Sequence, residues 1–312
     1  MKWINKDANK TEGDQVAKDY LEKWCRQPDG RYENVRYDNK RDEGAGPCFC
    51  NAAGGRFRKR MTNVLLQNQD GYCCYCMRKI KIGQREDYSD MVVTREHIIP
   101  RSFSHADVAK LAYYQQCPEL SSSQVILTDD FEDAGHNQTD DLPPYPHKIA
   151  YNNLVASCNG TFPYVRNRSG SKPKICCNEY RHENKAYPVY FIEGIEEMID
   201  YLDNGDMQVK CGVKSDIQEK IEDVITNTHL ACDQLKDIRH LWFILSHVSK
   251  ERIYNCKTES QRNTLLSEML YKDEFFEEER TIGLHSDFQK DDFWQTFLLY
   301  DYFYDVYHNN VK

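Results

Sequence analysis

The stretch Gly71–Ile80 reads GYCCYCMRKI and places three cysteines within four positions. Such a cluster of thiols is typical of a redox centre, one half of a disulfide, or part of a metal site. The chain has an odd number of cysteines, thirteen, and its N-terminal MKWINKDANK lacks the apolar core of a secretory signal. We therefore expect a cytoplasmic protein, in which disulfides are rare and a metal site or a catalytic thiol is favoured.

Two distant cysteines favour the metal site over the redox centre. Cys73 and Cys76 form a C-x-x-C pair, and Cys158 and Cys177 lie far downstream. One C-x-x-C with two distal cysteines has the spacing of a four-cysteine zinc site, in which each pair forms one half. A thioredoxin-type centre would place the C-x-x-C after a strand and would need no distal partners. The spacing therefore predicts a structural zinc.

Other cysteines leave part of this ligand set open. Cys176 directly precedes Cys177, and spacing alone does not choose between the two thiols. Cys74 lies inside the C-x-x-C pair, where we expect its side chain to point elsewhere and to pack. Cys48 and Cys50 form a C-x-C pair, whose spacing suits a tetrahedral site less well than C-x-x-C does.

The composition is that of a globular protein with an uneven charge distribution. The 312 residues are 40% hydrophobic and 29% charged, without the run of roughly 18 apolar residues that a membrane span needs. The net charge is −9, but residues 191–312 hold 25 acidic and 13 basic side chains. Residues 1–190 therefore carry a net charge of +3, so this part of the chain is free to face phosphates.

Hydrophobic patterning predicts a mixed, α+β fold. Phe57–Asp70 fits an amphipathic helix that runs into the cysteine cluster. Met91–Pro100 is β-branched and ends at a proline, which predicts a strand ending in a turn, and Lys148–Ala156 predicts a second short strand. Residues 104–147 are expected to form a long polar insertion, largely loop, with one short helix near Ala106–Gln115.

Helices are predicted for the C-terminal third. Asp216–Val248 has apolar residues at helical spacing, and Asp291–Tyr307 is a candidate helix rich in aromatic residues. Those aromatics are expected to form a core, or else to dock a partner protein. We divide the chain into an N-terminal extension (1–55), a central domain (56–190) and an acidic, mainly helical domain (191–312).

Four segments carry the candidate site residues. In chain order they are Cys73–Cys76, then Glu96-His97-Ile98-Ile99-Pro100, then Asn152-Asn153-Leu154 with Cys158, then Cys176-Cys177-Asn178 with Arg181-His182. This order resembles the zinc-knuckle form of the HNH endonuclease family, which binds zinc through four cysteines, over roughly Arg56–Glu183. The resemblance implies a ββα-metal (His-Me finger) core stapled by zinc, in which a β-hairpin and a helix hold one divalent cation. It also implies hydrolysis of phosphodiester bonds in nucleic acid, with DNA favoured.

By position, the resemblance assigns catalytic roles to three residues. His97 matches the general base, and a neutral imidazole can take a proton from water at physiological pH. Glu96 matches the first ligand of a catalytic Mg²⁺ or Mn²⁺, where Asp or His is commoner in the family. Such a hard cation neutralises the phosphate and stabilises the departing oxygen. Asn153 matches the residue that orients the histidine or braces its loop.

The last segment supplies the remaining roles. Asn178 matches the final residue of the family's motif, and His182 lies four residues later, on the same face of a helix. The two are the further candidate ligands of the catalytic cation. Cys177 is chosen as the zinc ligand because Asn178 and Arg181 then fall at the family's spacing. Arg181 is expected near the scissile phosphate or its neighbour.

A basic loop lies between the two distal cysteines. Its four cations are Arg166, Arg168, Lys172 and Lys174. Mixed with Ser, Gly and Asn, they predict either a loop that follows a phosphate backbone or an ordinary solvated loop. The sequence supports both interpretations equally.

A narrower resemblance concerns the biological setting. The opening MKWINK, the helix leading to YCCYCM, the Glu-His pair and the helical C-terminal region look like PtuB-type HNH proteins. These are effectors of Septu and retron-linked anti-phage systems that act with an ABC-type ATPase, PtuA. The resemblance implies that residues 191–312 bind the ATPase. Deleting them is then expected to abolish co-purification of the partner while zinc remains bound.

Two other classes of function are consistent with the sequence. A catalytically inactive zinc module that binds nucleic acid or a partner protein would keep the cysteines, although the intact Glu96, His97 and Asn153 favour an enzyme. A thiol redox protein would need reactive, zinc-free Cys73 and Cys76.

Overall fold

The computed structural model is a mixed assembly of helices and three two-stranded sheets, which agrees with the predicted α+β class. It describes residues 1–33, 35, 52–80, 93–134, 142–162, 164–165, 174–182, 184–248 and 296–309, with isolated positions between 255 and 265. Some residues singled out in the sequence lie outside this range: Cys48, Cys50, Arg166, Arg168 and Lys172.

The N-terminal segment is part of the core. Helix α1 (Lys10–Tyr20) continues into a π-helical turn and packs against α2 (Ala52–Asn68). Gly13 of α1 is needed for a close approach, because a Cβ there would lie 2.2 Å from the ring of Tyr151. Lys6 is buried and donates to two carbonyl oxygens, those of Tyr151 (3.0 Å) and Leu154 (2.5 Å).

An antiparallel strand pair lies at the centre of the predicted site region. Strand β1 (Thr94–His97) pairs with Leu154–Ser157, which is the fourth strand, β4, and His97 is opposite Leu154. The apolar face of α2 that the sequence predicted is buried and contacts β4. A strand is therefore present in each predicted region, but β4 overlaps only the end of Lys148–Ala156, since Tyr151–Asn153 form a 3₁₀ turn.

The insertion 104–147 contains more regular structure than predicted. Its described residues form α3 (Val108–Tyr114), β2 (Val125–Ile126), α4 (Thr128–Asp133) and β3 (Tyr145–Pro146), and β2 pairs with β3 in parallel. The expected short helix near Ala106–Gln115 is α3, whereas the expectation that the rest of the insertion is loop was wrong for the described residues. Elements of two to seven residues are too short to show a clear period in the sequence, and buried side chains such as Phe131 hold them in place.

The remaining elements are mainly helical. In chain order they are α5 (Cys177–Arg181), α6 (Ile195–Met198), β5 (Ile199–Tyr201), β6 (Met207–Val209), α7 (Ser215–Asn227), α8 (Asp233–Val248) and α9 (Tyr302–Asn309). The strands β5 and β6 are antiparallel. The predicted helical region Asp216–Val248 corresponds to α7 and α8. Within the described residues 296–309, the predicted aromatic helix is a 3₁₀ turn (Leu298–Tyr300) followed by α9.

The C-terminal aromatics form core rather than an exposed docking face. Phe297, Tyr300 and Phe303 are almost completely buried, and the ring of Phe297 stacks on that of Trp242 with centroids 4.5 Å apart. Helix α9 packs along α8. Core packing, one of the two interpretations of this segment, is therefore confirmed for the described residues.

The same C-terminal segment packs on the cysteine-rich turn with which the sequence analysis began. The amide of Lys79 donates to the carbonyl of Leu299 (2.7 Å), and its ammonium pairs with Asp301 (2.5 Å). Tyr72 donates from its hydroxyl to the same carboxylate (3.0 Å). The C-terminal segment therefore supports this cysteine-rich turn directly. None of the helices in the described part of the chain is long and apolar enough to span a membrane.

Candidate metal centre and adjoining cleft

Four cysteines converge in the core. The sulfur atoms of Cys73, Cys76, Cys158 and Cys177 all lie within 4.8 Å of one another, and all four residues are buried. The Cys76–Cys158 and Cys73–Cys177 sulfur pairs are 3.7 and 3.9 Å apart. A tetrahedral zinc with Zn–S bonds of about 2.3 Å places its sulfurs about 3.8 Å apart, whereas a disulfide needs about 2.05 Å. The cluster therefore fits a metal ion such as zinc.

The first half of the centre is a tight turn. The amide of Cys73 donates to the carbonyl of Arg78 (2.8 Å), and Met77 has a φ of +60°. The amide of Cys158 donates to the sulfur of Cys73 (3.3 Å), a contact that stabilises a thiolate. The backbone thus aims both C-x-x-C sulfurs at the same point.

The second half is closed by a glycine and by an unusual cysteine conformation. Gly160 has a φ of +68°, and a Cβ there would lie 2.0 Å from the carbonyl oxygen of Cys176. Cys177 has a φ of +61°, and its amide donates to the carbonyl of Thr228 (2.8 Å). These contacts bring Cys158 and Cys177 together although they are far apart in the sequence.

The choice between neighbouring thiols is visible in the geometry. Cys177 belongs to the four-sulfur cluster, whereas Cys176 does not, although their sulfurs are only 3.5 Å apart. Cys74 is also buried outside the cluster, and its amide donates to Ala156 in β4. Its expected packing role agrees with this position.

A polar cleft of about 490 Å³ contains five of the residues singled out in the sequence. They are Glu96, His97, Asn178, Arg181 and His182. The first two come from the end of β1, and the other three share one face of α5 and its C-terminal end. Arg95 and Arg101 add positive charge to the lining.

His97 has the protonation state that a general base requires. Its side chain is largely buried, and burial lowers its pKa well below the ordinary value, so the ring is neutral. Nε2 lies 2.9 Å from the carbonyl oxygen of Lys148. Because a carbonyl can only accept, Nε2 carries the proton and Nδ1 is left as the basic nitrogen.

Glu96 and Arg181 form a buried ion pair at the back of the cleft. The guanidinium also approaches the Tyr75 hydroxyl (3.2 Å) and the carbonyl of His97 (3.3 Å). Burial raises the pKa of Glu96 to about 6, although Arg181 favours the carboxylate. Arg181, which was expected near a substrate phosphate, is thus only 2% exposed and holds Glu96 and the loop after β1.

Asn153 lies behind the cleft and braces the same loop. Its side-chain oxygen accepts from the amide of Ile99 (2.7 Å), and its amide group donates to the carbonyls of Ile99 (3.1 Å) and His147 (2.8 Å). Three hydrogen bonds from one buried side chain therefore fix both segments that position His97.

The other predicted site residues lie at the rim. The Asn178 amide donates to the Thr94 hydroxyl (3.3 Å), and His182 is exposed at the end of α5. Lys174 is exposed and pairs with Glu179, which reduces its availability to a phosphate. Among the residues that the structure describes, only the four cysteines form a group of three or more His, Cys, Asp or Glu side chains close enough to hold a metal.

Two contributors to the cleft had no clear signal in the sequence. Lys148 acts through its backbone carbonyl, which any residue would supply at that position. His147 is completely buried, its Nδ1 accepts from the amide of Thr128 (2.9 Å), and its carbonyl accepts from Asn153. The position of His147 directly after the prolines of the insertion was the only feature of the sequence that pointed to its role.

Comparisons of the chain with protein-family models, curated proteins and solved structures found no match.

Proposed function

We propose that the protein is a metal-dependent HNH-type endonuclease that hydrolyses phosphodiester bonds of nucleic acid, with DNA favoured. The observation that carries this proposal is the cleft, where neutral His97 lies beside Glu96, Asn178 and His182 on an antiparallel strand pair and a following helix. The four-cysteine cluster adjoins it, in the order that the resemblance implies.

The chain's own groups supply the proton transfer and the positioning. Nδ1 of His97 accepts a proton from the attacking water, and the carbonyl of Lys148 holds the ring in the required tautomer. Arg95 and Arg101 attract the phosphate to the cleft.

The residues that line the cleft offer oxygen and nitrogen ligands for a divalent cation. Glu96, Asn178 and His182 would hold it, because a carboxylate, an amide oxygen and an imidazole are suitable ligands for Mg²⁺ or Mn²⁺. Bound there, the cation would neutralise the phosphate and stabilise the leaving oxygen. Since Arg181 already pairs with Glu96, the carboxylate would have to serve the guanidinium and the cation together.

Zinc has a structural role in this proposal. Four cysteine ligands leave no open coordination position for a substrate or water. The zinc would join the C-x-x-C turn, the end of β4 and the start of α5, and would thereby fix α5 relative to β1.

The anti-phage setting is a proposal from the resemblance to PtuB-type effectors. An ABC-type ATPase of the PtuA kind would then be the partner. Because the C-terminal aromatics are buried, the partner surface is better sought on α7, whose exposed side chains include Asp216, Glu219 and Glu222. Its acidic face suits a basic partner surface.

Two observations favour the second candidate, a catalytically inactive zinc module. Glu96 is neutralised by Arg181, and the described residues contain no second metal-binding group of the kind that the cysteines form. The module would then use the cleft and its arginines for binding alone.

A plasmid assay separates the two candidates. Purified wild type and His97→Ala are incubated with supercoiled DNA and Mg²⁺ or Mn²⁺, with zinc content measured for both. We expect a loss of cleavage rate of at least about 100-fold in His97→Ala, the contribution of a general base. His105→Ala, outside the cleft, is the matched control and should cleave as wild type does. Equal cleavage by His97→Ala would exclude the assigned base.

A further inference from the structure

A second cavity, of about 350 Å³, lies between the end of α1 and the first turns of α2. Its apolar side is aromatic: the rings of Tyr20 and Phe57 have centroids 5.1 Å apart, and the partly buried Trp24 completes the lining. The volume is within the range of small-molecule sites and suits one nucleotide.

Four cations also line this cavity. They are Lys23, Arg56, Lys59 and Arg60. Asp19 pairs with Arg60 at 2.6 Å, and no carboxylate among the described residues forms an ion pair with Arg56 or Lys59. The ammonium of Lys23 lies 5.2 Å from the centroid of the Trp24 ring. The cavity thus combines aromatic rings, of which Trp24 is the partly exposed one, with an excess of positive charge, in a chain whose net charge is −9.

Helix α2 connects this cavity with the catalytic cleft. Arg95, in the cleft lining, donates to the hydroxyl of Thr62 on α2 (2.8 Å). Lys59 and Arg56 precede Thr62 by three and six residues, which is about 4.5 and 9 Å along the helix axis. The cations of the cavity therefore lie within a distance of the cleft that adjacent nucleotides of a strand can span.

We propose that this cavity binds an unpaired nucleotide of the nucleic acid that enters the cleft. The base packs against the aromatic side near Trp24, and the neighbouring phosphates lie against Arg56 and Lys59. Stacking on an aromatic surface combined with a basic track is how proteins bind single strands without reading their sequence. The inference rests on the proposed nuclease function and adds to it a single-stranded or frayed substrate.

An ordinary solvated basic helix would not require the aromatic side. Exposed lysines and arginines on a helix need no concave surface beside them, and Trp24 would then contribute nothing to binding. Paired bases of a duplex are stacked on each other and cannot enter the cavity, so the proposal predicts a preference for unpaired strands.

Binding to labelled oligonucleotides tests the inference. Fluorescence anisotropy is measured with the uncleaving His97→Ala protein, for a single strand and for a duplex, at several salt concentrations. In this background, Trp24→Leu should weaken single-strand binding at least about fivefold with an unchanged salt slope. Arg56→Gln with Lys59→Gln should weaken it about tenfold or more and reduce the slope by about 1.4, or about 0.7 for each cation.

The controls distinguish this inference from the proposed function. Lys210→Gln with Lys214→Gln removes two cations elsewhere and should leave binding unchanged, and equal zinc content shows that each variant is folded. If wild type cleaves DNA but the Trp24 and Arg56/Lys59 variants bind normally, the inference is wrong and the nuclease stands. Equal losses for duplex and single strand, or tight binding of free ATP without any effect on oligonucleotides, would also overturn it.

Discussion

At the scale of single residues, the thiol cluster depends on which of two adjacent cysteines turns inward. Cys177 does so because its positive φ and its amide bond to Thr228 rotate its side chain towards Cys73. Cys176 lies within 3.5 Å of the Cys177 sulfur but outside the cluster. Proximity to one sulfur alone therefore does not place a cysteine in the cluster of four.

Zinc content of two serine variants checks this assignment. Cys177→Ser removes one of four ligands, so we expect it to lose most of its bound zinc during purification or against a chelator. Cys176→Ser should retain about one zinc for each chain, because the four ligands remain. The measurement is metal analysis by mass spectrometry; the opposite pattern, with zinc lost only from the Cys176 variant, would show that the ligand has been misassigned.

Lys6 gives a residue-scale prediction about pH. It is buried, and burial lowers its pKa well below the ordinary value of a lysine. Between its folded and unfolded pKa the unfolded chain binds more protons, so this residue makes the protein more stable as the pH rises. The free energy of unfolding should therefore rise more steeply from pH 7 to pH 9 in wild type than in Lys6→Met.

Urea unfolding at the two pH values makes this comparison. Titrating groups that both proteins share cancel in the difference, so the remaining slope reports on Lys6. Parallel pH dependences of wild type and Lys6→Met would mean that the pKa of the Lys6 amine is not lowered by burial.

At the scale of elements, the side chain of Asn153 joins the segments that position His97 at the end of the strand pair. It ties the loop after β1 to the carbonyl of His147, next to Lys148, whose carbonyl orients His97. Its neighbour Asn152 donates from its side chain to the carbonyl of Glu119 (3.0 Å). The two asparagines are therefore a natural matched pair for mutation.

Asn153→Ala should destabilise the fold by about 2–3 kcal/mol, because it leaves a buried amide and carbonyls without partners. Asn152→Ala should cost about 1 kcal/mol. Urea denaturation measures both, and the cleavage rate should fall only in the Asn153 variant. Equal destabilisation and equal activity of the two variants would contradict the bracing role.

The long helices and the central strands could be predicted from the sequence, whereas the short elements could not. Helix α2, the strands β1 and β4, and the helices α7 and α8 are long or bounded enough for their hydrophobic period to identify them. The cysteine spacing likewise identified Cys73, Cys76 and Cys158, whereas the family resemblance was needed to choose Cys177 over Cys176. The short elements of the insertion, the carbonyl of Lys148 and the pairing of Arg181 with Glu96 depend on tertiary contacts that leave no local pattern.

At the scale of the whole molecule, the C-terminal third of the chain supports the cysteine-rich turn of the candidate metal centre. Leu299 and Asp301 bond to Lys79, and the hydroxyl of Tyr300 lies 3.8 Å from the sulfur of Cys76. The carbonyl of Thr228 accepts from the amide of Cys177. The expectation that a fragment lacking residues 191–312 keeps its zinc therefore has to be revised, because these contacts would all be lost.

Removing residues 296–312 should accelerate the loss of zinc to a chromogenic chelator by about tenfold or more. A tenfold change corresponds to a loss of about 1.4 kcal/mol in the free energy that stabilises the zinc-bound state. The truncation exposes core aromatics as well, so Asp301→Asn is the finer variant and should show a smaller acceleration. Zinc release at the wild-type rate from both proteins would show that the C-terminal segment does not stabilise the centre.

Chemical rescue tests the central claim most directly, namely that the His97 imidazole is the base for phosphodiester hydrolysis. His97→Gly removes the ring, and added imidazole can enter the space that it leaves in the cleft. The account predicts that His97→Gly cleaves plasmid DNA at least about 100-fold more slowly than wild type, and that imidazole restores part of the rate, whereas it does not rescue Asn153→Ala. Cleavage by His97→Gly at the wild-type rate without imidazole would contradict the account.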